Sequence, residues 1–330
     1  MMTSDRNIGL DLFRIIMMFG ICLIHACSKG EYKCVTLHNV LTPSVVGFAM
    51  LSGYFGIRFT PSKIVRLYAL AIGYCLLIPM LGGYSDNMGY MNSVIEVWGA
   101  SRRYWYLHAY AALMCVAPAL KTEKLNRLQP FFLVVFVWGF LLVYGCFKEY
   151  IPLASGLGSH TFVTLLGIYL FARVAKEQGW FDRIQIPQAT GLLLISLIVF
   201  CLIPASGSFN SPIALMFIFS VFAIFKRIKS LGRFNVIVRM LAPSMFGVYL
   251  LHGAIVFPGV STEYYGLIAF LERFHAAQGV SIYVSCFIVA LEVFVISLAF
   301  DLIRRLLLIP VDGVLKMCLE RVDALYEKIK

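Results

Sequence analysis

Apolar residues gather along this chain into long runs separated by short polar stretches, and the runs repeat from one end to the other. Runs near 8–26, 38–57, 65–82, 104–120, 130–147, 158–174, 189–204, 211–226, 240–258 and 281–303 are each long enough, or nearly so, to cross a bilayer as a helix. The pattern predicts an all-α, polytopic integral membrane bundle of about ten transmembrane helices. The polar stretches between runs are too short to fold independently, so residues 1–330 are expected to form one transmembrane domain that carries its own chemistry.

The first run, IGLDLFRIIMMFGICLIHA, breaks its own pattern with Asp11, Arg14 and His25. At 100° per residue, His25 falls about 20° around a helix from Arg14 and about 40° from Asp11, so the three share one narrow stripe. Arg14 and His25 are separated along it by about 16 Å. Charged groups inside a bilayer are costly and normally face a bundle interior or a wet cavity, which makes this stripe a candidate functional surface. A cleaved signal peptide is disfavoured by Asp11 and Arg14 within the would-be apolar region and by the further spans that follow.

Composition agrees with the pattern: 60% of residues are hydrophobic and only 14% charged. The net charge of +11 would suit a nucleic-acid binder, but its distribution argues otherwise. With a cytoplasmic N-terminus, the inner segments hold 21 Lys and Arg residues and the outer segments 6, with Arg14 inside a span. That asymmetry puts both termini in the cytoplasm and makes the basic excess an orientation signal and an attraction to anionic lipid. No nucleic-acid-binding signature is present, so no nucleic-acid partner is expected. The nine cysteines show no metal-ligand spacing and no metal is expected; Cys27 and Cys34 flank the first outer loop and are a candidate pair.

Other polar residues stand out against the runs. Ser52 and Gly53 lie in the second, where small residues suit close helix packing. Lys63 and Arg66 lie at an inner boundary, where they serve topology or meet the phosphates of a nucleotide-containing donor. Arg102 and Arg103 precede Tyr104-Trp105-Tyr106-Leu107-His108 on the outer side, with the aromatics placed as interfacial anchors. Tyr249 and His252 share a face of the ninth run. Glu292 falls near the middle of the tenth and needs a cation close by, with Arg14, His25 and His252 as the candidates.

Taken together, Asp11-x-x-Arg14 with ten residues between Arg14 and His25, Ser52-Gly53-Tyr54, Lys63-x-x-Arg66, Trp105-Tyr106-Leu107 and Ser244…Tyr249-Leu250-x-His252 resemble the membrane-bound acyltransferase 3 family. Lys63 stands where arginine is usual and Arg103 where a His often precedes the Trp, with His108 one turn later. The resemblance implies an O-acyltransferase moving an acyl group, commonly acetyl from acetyl-CoA, to hydroxyls of cell-envelope carbohydrates or lipid-linked glycans. It implies a multi-pass protein of the plasma or inner membrane, with no bound cofactor and acyl-CoA as donor substrate. It also makes Arg14 and His25 the essential pair and places Ser52, Trp105, Tyr249 and His252 around the site. Some relatives append a hydrolase-like extracytoplasmic domain; none is expected here.

The stripe suits that chemistry. His25 is the candidate general base for the acceptor hydroxyl, and Arg14 either binds the CoA portion or holds Asp11 and Glu292. Arg14, His25 and Glu292 are thus the candidate catalytic residues. Asp11, Ser52, Lys63, Arg66, Arg103, Trp105, His108, Tyr249 and His252 are the candidate substrate contacts. A transporter or flippase of a polysaccharide or lipid-linked intermediate is the alternative, since charged residues inside spans mark those proteins too.

Overall fold

The computed structural model describes residues 7–29, 35–82, 105–120, 162–203, 209, 211–252, 271, 274–276, 278–279 and 281–329. Helix accounts for 87% of its structure and no strand occurs among the described residues. The elements are α1 (Ile8–Lys29), α2 (Val35–Leu41), α3 (Pro43–Phe55), α4 (Pro61–Gly82), α5 (Trp105–Val116), α6 (Phe162–Glu177), α7 (Trp180–Arg183), α8 (Ile186–Leu202), α9 (Pro212–Lys226), α10 (Phe234–Leu241), α11 (Met245–Leu251), α12 (Ile282–Leu307) and α13 (Ile309–Ile329). The run predicted at 130–147 lies outside the described residues.

Among the described residues, three segments are long and apolar enough to cross a membrane on their own: Ile8–Cys27, Phe234–Leu251 and Val284–Leu307. Ile186–Leu202 and Pro212–Lys226 are shorter apolar helices. On α12, Val284, Phe287, Leu291 and Val295 are exposed at helical spacing, as are Leu194, Ile195 and Ile198 on α8. Apolar faces of this kind suit lipid rather than water.

Prolines divide what the hydrophobic pattern reads as single helices. The second predicted span is two helices meeting at Thr42-Pro43. Thr42 keeps them continuous, because its amide and its hydroxyl both donate to the His38 carbonyl, at 2.9 and 2.7 Å. The ninth begins at Phe234, earlier than predicted, and passes through a 3₁₀ turn at Ala242–Ser244 that contains Pro243. Pro61 opens α4, where its missing amide hydrogen costs no helix bond.

Helix α1 is the centre of the packing. One side meets α3 and α9, where Phe13 lies edge-on to Phe222 at 5.4 Å. Another meets α12, Phe19 touching Phe287 at 5.6 Å and Phe294 at 5.8 Å, while Cys286 lies against the Ala26 carbonyl. Residue 26 opposite 286 and residue 19 opposite 294 make the two helices antiparallel. Cys27 therefore borders Cys286 on α12, and Cys34, its expected partner, lies outside the described residues.

Gly53 sets the distance between α3 and α6: a Cβ there would come within 2.3 Å of the Tyr169 carbonyl oxygen. The expectation of packing at Gly53 thus has a geometric basis. The bundle also holds an ionic lock at the far end of α12. Asp301, 1% exposed, accepts from the Tyr74 hydroxyl at 2.5 Å and from Arg304 Nε at 3.0 Å.

Helix α13 has no counterpart among the predicted spans. It docks on the start of α4, where Asp323 accepts from the Ser62 amide at 3.0 Å and the Ser62 hydroxyl at 2.5 Å, and Tyr326 lies edge-on to Phe59 at 5.5 Å. These hydrogen bonds, with Arg66 and Lys63 in electrostatic reach, hold the Asp323 carboxyl below its ordinary value.

Candidate active site

The polar stripe of α1 faces the interior of the bundle, and a second row of residues faces it from α5 and α11. At one end the His25 and His252 rings lie 4.9 Å apart, inclined at 32°. Helix α11 ends at His252, whose Nδ1 lies 2.6 Å from the Tyr249 carbonyl oxygen. A carbonyl only accepts, so Nδ1 carries the hydrogen and, in the neutral ring, Nε2 keeps its lone pair. Two imidazole rings therefore stand side by side at this end of the stripe.

From His252 the row continues through aromatic rings toward Arg14. Tyr249 lies 5.9 Å from His252 and meets Tyr106 edge-on, also at 5.9 Å. Tyr106 in turn stacks on Tyr110 at 6.1 Å, with the rings within 9° of parallel. These two tyrosines are four residues apart on α5 and so lie one above the other on one face. The Tyr110 hydroxyl reaches Ser52 on α3 and lies in the field of Arg14, while Ser52 Oγ also donates to the Phe48 carbonyl at 2.9 Å. Arg14 closes the row, its guanidinium 3.8 Å from Asp11 Oδ1, a separation for charge attraction rather than a hydrogen bond.

His25, His252, Tyr249, Tyr106, Tyr110, Ser52 and Arg14 therefore form one connected line across four helices. Tyr106 and Tyr110 are the members that sequence reasoning missed: Tyr106 opens a span and reads as an interfacial anchor, and Tyr110 lies within an apolar run. The helical spacing of 106 and 110 was the available signal. The Tyr106 hydroxyl is buried with no hydrogen-bond partner among the described residues. An unmade hydrogen bond of that kind costs about 1–3 kcal/mol.

Several candidate residues lie elsewhere. Trp105 opens α5 and contacts Tyr106 at 5.5 Å and Phe209 at 5.9 Å, which puts it beside the row. His108 Nδ1 pairs with the Tyr68 hydroxyl at 3.0 Å, joining α5 to α4. Lys63 donates to the Arg58 carbonyl at 2.7 Å, and with exposed Arg66 it faces the field of Asp323 on α13. Ser244 accepts from Arg305 at 2.9 Å at the far end of α12. Arg103 lies outside the described residues.

Glu292 is the correction. Its expected cation was Arg14, His25 or His252, but the group that meets it is the His275 ring, Nε2 to Oε2 at 2.8 Å. His275 lies between the apolar runs, so a search confined to groups inside the spans passes over it. The Glu292 side chain is 35% exposed and that of His275 10%, so the pair sits partly in reach of its surroundings.

Comparison with family models matches residues 7–299 to an acyltransferase domain, that of the acyltransferase 3 family. No curated protein and no solved structure matches the chain. The matched region takes in every member of the row from Arg14 to His25 and His252.

Proposed function

Since the chain belongs to the acyltransferase 3 family, we propose that it is a membrane O-acyltransferase that carries an acetyl group from acetyl-CoA to a hydroxyl of a cell-surface or lipid-linked carbohydrate. The observation that carries this reading is the row itself, which joins two imidazoles at one end to a guanidinium at the other inside a membrane bundle. On this reading His25 takes the proton of the acceptor hydroxyl as the oxygen attacks the thioester carbonyl, a contribution of about 10²–10⁴-fold in rate. The protonated His25 then returns the proton to the departing CoA thiolate.

His252 supports the base. With Nδ1 committed to the Tyr249 carbonyl, it presents a neutral ring of fixed tautomer beside His25. Arg14 lies about 16 Å along α1 from His25, too far to touch the reacting atoms, and binds an anionic part of the donor. Lys63 and Arg66 meet the donor's phosphates at the inner boundary, and Ser52, Trp105, His108, Tyr249 and Asp11 shape the path between. The pantetheine arm enters from the cytoplasm along the tyrosine row, and the acceptor arrives from the outer side. Both termini are cytoplasmic, and the bundle forms a single domain in the plasma or inner membrane.

The test is to give membranes containing the protein radiolabelled acetyl-CoA and follow the label. Counts passing into an alkali-labile ester on the glycan fraction are the expected result. Label that stays with CoA while unmodified glycan moves between leaflets would instead make the protein an exporter.

A further inference from the structure

The step above leaves one requirement unmet. When the acceptor oxygen bonds to the thioester carbon, the carbonyl π electrons move to oxygen, and the resulting oxyanion needs a hydrogen-bond donor close by. Arg14 is too distant to supply it, His25 is occupied with the proton, and the Nδ1 hydrogen of His252 is committed to the Tyr249 carbonyl.

We propose that the Tyr106 hydroxyl is that donor, an assignment that rests on the acyl-transfer reading. It stands midway in the row, one ring from Tyr249 on the imidazole side and one ring from Tyr110 on the guanidinium side. Its hydroxyl is shielded from solvent and has no partner among the described residues, whereas that of neighbouring Tyr110 reaches Ser52. The residue packs against the core of α1, α3 and α6 without being wholly enclosed. A donor held ready in a water-excluded site without a ground-state partner is what stabilisation of a developing charge requires. A neutral phenol also leaves His25 able to accept a proton, which a cation beside it would oppose.

The bonding balances. The acceptor's C–O bond forms as the carbonyl becomes an oxyanion held by Tyr106, and the acceptor proton passes to His25. The carbonyl then reforms, the C–S bond breaks, and the thiolate leaves with the proton from His25. Tyr106 donates a hydrogen bond throughout and transfers no proton.

The experiment compares wild type and Tyr106→Phe as full-length protein in membranes, with acetyl-CoA as donor. The variant should lose about 10²-fold in kcat with KM for acetyl-CoA within about twofold. Its thermal midpoint should be unchanged or higher, because deleting an unpaired buried hydroxyl removes a cost rather than a contact. Fluorinated tyrosines at position 106 should raise kcat as the phenol becomes more acidic, a trend that a purely structural ring would not produce. An unchanged kcat, or a loss of kcat that accompanies a lower thermal midpoint, overturns the assignment. Wild-type protein that transfers no acetyl group would overturn the acyltransferase reading instead, so the two failures are distinct.

Discussion

Charged and titratable residues inside apolar helices persist only where the bundle gives them partners, and for Glu292 that partner is His275 rather than a cation of α1. Its pairing with His275 predicts that Glu292→Gln and His275→Gln will be non-additive in a thermal-stability cycle. Because the carboxylate is partly exposed, a coupling of a few tenths to about 1 kcal/mol is expected. Glu292→Gln combined with Arg14→Gln should be additive, and strong coupling between those two would place Glu292 in the α1 row after all. Arg14 and His25 were legible in the sequence because their charge and polarity interrupt an apolar run. Tyr106 was not, since a tyrosine at the mouth of a span has the same sequence signature whether it meets headgroups or a substrate, and Tyr110 was not, since one aromatic does not interrupt an apolar run. His275 escaped for the opposite reason, lying outside the runs in which a partner for Glu292 was sought.

At the scale of the element, the apolar pattern located most helices among the described residues, because sustained apolar runs of that length have few other uses. It blurred their breaks, at Pro43 and Pro243, where composition stays apolar while the backbone changes course. It missed α13 altogether, because that helix mixes charged and apolar residues and holds its place through Ser62, Phe59, Asp323 and Tyr326 rather than through hydropathy. This docking carries a pH dependence. The Asp323 carboxyl titrates lower when docked than its ordinary value of 3.8, so its contribution is fully present above that value and is lost as pH falls through the lowered one. Cleavage of α13 by an acid-tolerant protease should therefore stay slow at pH 5 and above and accelerate below about pH 4. Asp323→Asn should abolish that acid step, and an unaltered profile in the variant would assign it to another group.

For the whole molecule, the arrangement of α1 joins fold to function. The helix is central to the packing, so its polar stripe is enclosed by α3, α5 and α11, and it is also the segment whose polar residues the bilayer could least tolerate elsewhere. Its apolar faces hold the bundle through Phe13 and Phe19, leaving the third face to the polar row. The most direct test is the initial rate of acetyl transfer from acetyl-CoA by membranes holding equal amounts of wild-type protein and His25→Ala. Replacing a polar group in the bundle with an apolar one should leave abundance near wild type. A fall in rate of about 10²-fold or more at matched abundance is the predicted result, and transfer by His25→Ala at the wild-type rate would contradict it.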